Sequence, residues 1–226
     1  MEPGMMRYLR TFAIIIACVA ISLTGCGGGD SGSGPPPAIT NQILSDSGFD
    51  GDIQQTSPST FTVTEGMSPS VQSVFAGIDP ATLTEFRAFL DFPLSGAGGV
   101  PGNAMIDSAF LDIYIDSFQP GTATLPMLID LVSFQPPALL GTDFDLTIQP
   151  ALVYVQVAPP FTLADVGINV SIDVTSLMVQ AQQMGLADFQ VRILSAGSAI
   201  PGLIEIDDTT GANRALHAPE LTVTYF

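Results

Sequence analysis

Apolar and polar residues alternate with a period of two along much of the chain, the pattern of strands with one buried face. Over residues 87–94, Ala88, Leu90, Phe92 and Leu94 alternate with Arg87, Phe89, Asp91 and Pro93. Over residues 108–118, Ala109, Leu111, Ile113 and Ile115 face one way, and Phe110, Asp112, Tyr114, Asp116 and Phe118 face the other. Residues 127–134, 144–148, 152–157, 168–174, 189–194, 203–206 and 221–225 read as further strands, with Gly, Pro, Asn and Asp between them. One segment departs from this period. Leu177, Met178, Ala181 and Met184 share a helical face, with Asp173 or Thr175 placed to cap its start and Gly185 to end it. The pattern predicts an all-β domain, an antiparallel jelly-roll-like sandwich with one short helix packed over its end.

The amino terminus is different in kind. Arg7 and Arg10 precede an apolar run from Phe12 to Leu23 broken only by Ser22. That run falls far short of the roughly 20 residues a spanning helix needs, so it reads as the core of a signal peptide over residues 1–25. It ends in Leu23-Thr24-Gly25-Cys26, which resembles the lipobox of bacterial lipoproteins. The resemblance implies a diacylglycerol on the Cys26 thiol, cleavage before it, and a lipid-anchored protein of the cell envelope. In Gram-negative lipoproteins an Asp after the cysteine retains the protein at the inner membrane. Gly27 stands there instead, which favours the outer membrane if the cell is Gram-negative. Residues 26–38 then form the lipidated cysteine and its tether, with a flexible Gly/Ser half and a stiffer Pro35-Pro36-Pro37. Cys18 leaves with the signal, so the mature chain keeps only Cys26 and no disulfide is available.

Residues 39–226 are long enough for one domain with a substantial core, and no repeat of fixed period interrupts them. Without Glu2, Arg7 and Arg10 the mature chain holds 21 acids against Arg87, Arg192 and Arg214, and there is no lysine, giving a formal charge of −18. Such a surface repels nucleic acid, anionic lipid and acidic polysaccharide, and nucleic-acid binding is excluded as a function.

Four stretches in order resemble the DNRLRE-type modules, bacterial β-sandwich domains related to carbohydrate-binding modules. They are Arg87-Ala-Phe-Leu-Asp-Phe-Pro-Leu-Ser95, Ile106-Asp-Ser-Ala-Phe-Leu-Asp-Ile-Tyr-Ile115, Val170-Ser-Ile-Asp-Val-Thr-Ser-Leu177 and Ala218-Pro-Glu-Leu-Thr-Val-Thr-Tyr225. The resemblance implies the sandwich fold and an association with surface glycans. Where the family shows Ser-Arg-Glu before its last loop, this chain has Ile206-Asp207-Asp208. Some members bind alginate, a polyanion, and three arginines in a −18 domain do not make the basic groove that ligand needs.

The chemistry follows from what is present. His217 is the only histidine and no Gly-x-Ser-x-Gly elbow accompanies it, so the expectation is a non-catalytic protein. Histidine–cysteine metal sites fail on counting. Calcium takes oxygen ligands, and Asp46, Asp50 and Asp52 in a glycine-containing loop are its candidates. The Asp-x-Asp-x-Asp-Gly loop with a distal Glu is missing, so solvated carboxylates and no cofactor are the default. The face carrying Phe89, Asp91, Phe110, Asp112, Tyr114, Asp116 and Phe118 interleaves rings with carboxylates, as stacking on sugars and bonding to their hydroxyls requires. Its bland alternative is a face covered by a loop or a partner. The expected partners are the membrane through the anchor and a neutral glycan, or alternatively an envelope protein packed against the sandwich.

Overall fold

The computed structural model describes residues 36–134, 138–197 and 200–226. The signal peptide, Cys26 and the tether up to residue 35 lie outside the described residues. The strands are β1 (Ile39–Leu44), β2 (Gly51–Ser57), β3 (Thr60–Glu65), β4 (Ser73–Ile78), β5 (Glu85–Pro93), β6 (Ile106–Pro120), β7 (Met127–Val132), β8 (Val153–Gln156), β9 (Asn169–Asp173), β10 (Asp188–Ser195), β11 (Gly202–Asp207) and β12 (Glu220–Tyr225). Two short helices join them, α1 (Thr175–Gln183) and α2 (Arg214–His217).

The strands hydrogen-bond in the order β1-β12-β6-β11-β4-β5-β10-β7-β8, with β2 and β3 added beside β5 and β9 beside β6. All these pairings are antiparallel. The sheet curls until the inner faces of its two halves meet in one core. Leu90 and Phe92 of β5, Leu111 and Ile113 of β6, Val191 of β10 and Val223 of β12 are fully buried there. This is an all-β, sandwich-like fold, and Pro37 to Phe226 forms one compact unit.

Helix α1 closes one end of the core. Leu177, Met178 and Ala181 are buried as their spacing predicts, while Met184 is exposed. Val174 is the residue at the cap. Asp173 and Thr175 still fix the entry: Asp173 Oδ1 accepts from the Thr175 N–H at 2.9 Å, and Thr175 Oγ1 accepts from the Ala109 N–H at 2.9 Å. Gly185 ends the helix at φ +65, a left-handed conformation glycine adopts at least cost.

Two sequence expectations are corrected. Residues 144–148 are not a strand. They follow a 3-10 turn (Gly141–Phe144) and continue as turns, with the Asp145 N–H bonded to Thr142 O and the Gln149 N–H to Asp145 O. The expectation of one helix also misses α2, whose four residues carry no apolar stripe.

Candidate functional site

The seven residues of the predicted ring-and-carboxylate face do not share one surface. Four stay outward on β6: Phe110 and Asp116 are exposed, and Asp112 and Tyr114 are half-buried. Phe118 is buried in the core. The cause is a bulge: Ile206 of β11 pairs with Ile115 and Glu205 with Ser117, which leaves Asp116 without a partner. One extra residue reverses the alternation, so Phe118 points in where the period of two places it out.

On the outer face of β6, Phe110 lies between Asp173 of β9 and Thr222 of β12, and Asp112 lies between Ser171 and Glu220. The Tyr114 ring stacks on His217, with centroids 4.0 Å apart and planes 6° from parallel. His217 Nδ1 is 3.0 Å from Asp207 Oδ2, and Asp207 Oδ1 accepts from the Thr209 N–H. The histidine therefore occupies one face of the tyrosine that a sugar ring would need. A shallow cleft of about 260 Å³ beside it is lined by Asp112, Asn169, Leu216 and Glu220.

Phe89 and Asp91 lie on the other sheet half, and both are buried. Phe89 joins a second apolar cluster with Ile53, Val132, Phe134, Leu139 and Phe144, formed where the segment after β7 folds over this face. Two arginines hold that segment down. Arg192 bonds Asp130 Oδ2 through Nε at 3.1 Å and Nη2 at 2.6 Å, and its Nη1 donates to the carbonyls of Asp143 and Gln149. Arg87 pairs with Glu85 at 2.7 Å, donates to the Phe144 carbonyl, and lies 3.8 Å over the Phe144 ring. The third arginine, Arg214, donates to Asp208 Oδ1 at 3.3 Å and to the Ser45 and Thr209 carbonyls. All three arginines of the described residues are bound within the domain.

The calcium candidates are not brought together. Asp46 Oδ1 accepts from the Gly48 N–H, Asp50 Oδ1 from the Asp91 N–H at 2.7 Å, and Asp52 Oδ2 from the Phe75 N–H at 3.4 Å. Asp50 instead pairs with Asp208, which the sequence does not place near it. Both are fully buried, and among the described residues neither Oδ2 has a donor. Burial and the neighbouring acid push Asp50 well above the usual carboxylate range, and burial pushes Asp208 up to about 6. Two carboxyls buried side by side disfavour the doubly ionised state, which is why both hold their protons more tightly than exposed acids do.

A groove that sequence reasoning missed lies between the β2–β3 hairpin and β4, with a volume of about 350 Å³. The rings of Phe75 and Phe86 stand in it, 5.9 Å apart and tilted by 53°. Gln54, Thr64, Gln72 and Ser73 supply amides and hydroxyls, and Asp52 lies buried in its lining, its carboxyl pushed up to about 7 by that burial. Glu205 completes the lining and is held by Ser73 Oγ and Ser117 Oγ, each at 2.8 Å. Only the second strand of the hairpin is legible in the sequence, where Thr60-Phe-Thr-Val-Thr-Glu65 alternates with strict period two, and of that strand only Thr64 lines the groove.

No family model matches the chain, and no curated protein matches its sequence.

Proposed function

We propose that the chain is a lipid-anchored, non-catalytic protein of the cell envelope whose β-sandwich presents a binding groove for a neutral glycan. The groove at Phe75 and Phe86 carries this reading. It combines two partly accessible rings with amides, hydroxyls and a carboxylate, the groups that stack on sugar rings and bond their hydroxyls. Because Arg87, Arg192 and Arg214 are bound internally, the ligand has no cation to meet, which favours a neutral glycan over an acidic one. The groove's acids are themselves engaged, Glu205 by two serines and Asp52 by a backbone N–H, which suits a binding role.

Glycan-array screening followed by calorimetry tests this. The expected result is saturable binding to neutral oligosaccharides, weakened about tenfold by Phe86→Ala with the fold retained. Binding confined to charged glycans, or unaffected by Phe86→Ala, contradicts it.

A second reading, packing against an envelope protein, is favoured by the edge strand β8. Its only strand partner among the described residues is β7, and Leu152 and Tyr154 are exposed there. Under that reading Tyr154→Ala, and not Phe86→Ala, changes what the protein co-fractionates with.

A further inference from the structure

The end of the sandwich where the chain enters β1 is free of charged side chains. Residues 36–45, 93–106, 174–187 and 221–226 contain no Asp, Glu, Lys, Arg or His, although the mature chain holds 21 acids. The fold gathers one end of each stretch, while β1 runs on to the charged side, where Gln42 donates to Glu220 and the Ser45 carbonyl accepts from Arg214. Asn41 Nδ2 donates to Gly99 O at 2.6 Å and to Tyr225 Oη at 3.2 Å, and Gln182 Nε2 donates to Pro101 O at 3.1 Å. Met105 and Phe226 exchange backbone hydrogen bonds of 3.0 Å, and the Leu94 N–H bonds Ala187 O at 3.0 Å. Within the domain, the first acids beyond the stretches are Asp46, Asp91, Asp107, Asp173, Asp188 and Glu220.

This end also carries exposed apolar side chains. Met105 is 70 % exposed, Ile39 48 % and Met184 47 %, and Phe226 is exposed as well. Between α1 and the glycine-rich loop after β5 lies a cleft of about 380 Å³ lined by Val100, Pro101, Met178 and Leu186 among others.

We infer that this end, free of charged side chains, is the face the domain sets against the lipid bilayer, with Ile39 and Met105 in the headgroup layer. The inference rests on the proposed anchoring at Cys26. Twelve residues separate that cysteine from Ile39 and reach at most about 40 Å fully extended, so the chain enters the domain within reach of the membrane. Carboxylates are repelled by anionic headgroups and lose hydration near hydrocarbon, so an acidic domain held this close approaches the membrane most readily by the end without acidic side chains. Apolar side chains at that end gain from leaving water.

The test uses the full, processed chain carrying its own lipid in phosphatidylcholine vesicles whose upper acyl carbons are brominated. A dye is attached at Met105→Cys or, on the loop at the far end of β5, at Leu83→Cys. An acylated Cys26 offers no competing thiol. The expected result is bromine quenching several-fold stronger at position 105 than at position 83. Equal quenching at both sites in a vesicle-bound protein overturns the docking and leaves the anchor standing. Dye self-quenching at position 105 that rises with protein density, without bromine quenching, places a second copy on this end and overturns the inference. A parent chain that takes up dye at Cys26 and stays off the vesicles overturns the anchoring reading and this inference with it.

Discussion

Arg192 shows how few side chains settle the covering of one sheet face. It is fully buried, neutralised by Asp130, and bonded to two carbonyls of the segment that folds over β5, β7 and β10. Arg192→Ala leaves Asp130 buried without its cation and frees those carbonyls. The expected loss is about 3–5 kcal/mol in denaturant melts, the range for breaking one side of a buried pair. The buried acids act in the opposite sense to ordinary ion-paired carboxylates. Burial raises Asp52 to about 7 and Asp91 to about 6, and Asp50 and Asp208 are also raised. Each therefore binds a proton more tightly in the folded than in the unfolded chain. Their contribution is fully present below the ordinary carboxylate range near pH 4 and is lost as pH rises through 6 and 7. Each tenfold difference in proton affinity between folded and unfolded chain is worth roughly 1.4 kcal/mol. The melting temperature should fall between pH 5 and pH 8. Asp52→Asn, which keeps the uncharged state at all pH values, should flatten that fall. A melting temperature that rises across this interval contradicts the assignment.

At the scale of elements, β6 is the strand most legible in the sequence and the one with the most instructive error. Leu111 is fully buried on its inner face, and Leu111→Ala should cost about 2–5 kcal/mol. Tyr114 is half-buried under His217, so Tyr114→Ala should cost less than the roughly 3 kcal/mol of a fully buried ring. Denaturant melts of the two variants check the order, and a larger loss for Tyr114→Ala would contradict it. The inward row Ala109, Leu111, Ile113 and Ile115 was readable because alternation is local. The inward turn of Phe118 was not, since the bulge at Asp116 is set by the register of β11, far away in sequence. Phe89 and Asp91 were readable as sharing a face. That the face is covered depends on where the segment after β7 folds, which no local pattern encodes. The groove was missed for a different reason: β2 and β4 have mixed patterns, Gly51-Asp-Ile-Gln-Gln-Thr-Ser57 and Ser73-Val-Phe-Ala-Gly-Ile78, whose residues find their faces only through pairing, β2 with β5 and β4 with β11.

For the molecule as a whole, the distribution of charge joins fold to function. The domain is rich in carboxylates, the three arginines are bound within it, and the end where the chain enters β1 is free of charged side chains. Self-repulsion in so acidic a domain should make added salt stabilising, visible as a melting temperature that rises between low salt and 0.15 M, where the Debye length is about 8 Å. Both the proposed glycan groove and the proposed membrane-facing end belong to a chain held at an envelope surface by the sulfur of Cys26, which is itself a proposal. Intact mass spectrometry of the mature protein, beside its Cys26→Ser variant, tests that directly. The account predicts a chain beginning at Cys26 and carrying acyl groups, and a Cys26→Ser chain with neither the lipid nor the cleavage. A mature chain with an unmodified Cys26, or a Cys26→Ser variant processed and membrane-bound like the parent, would contradict it.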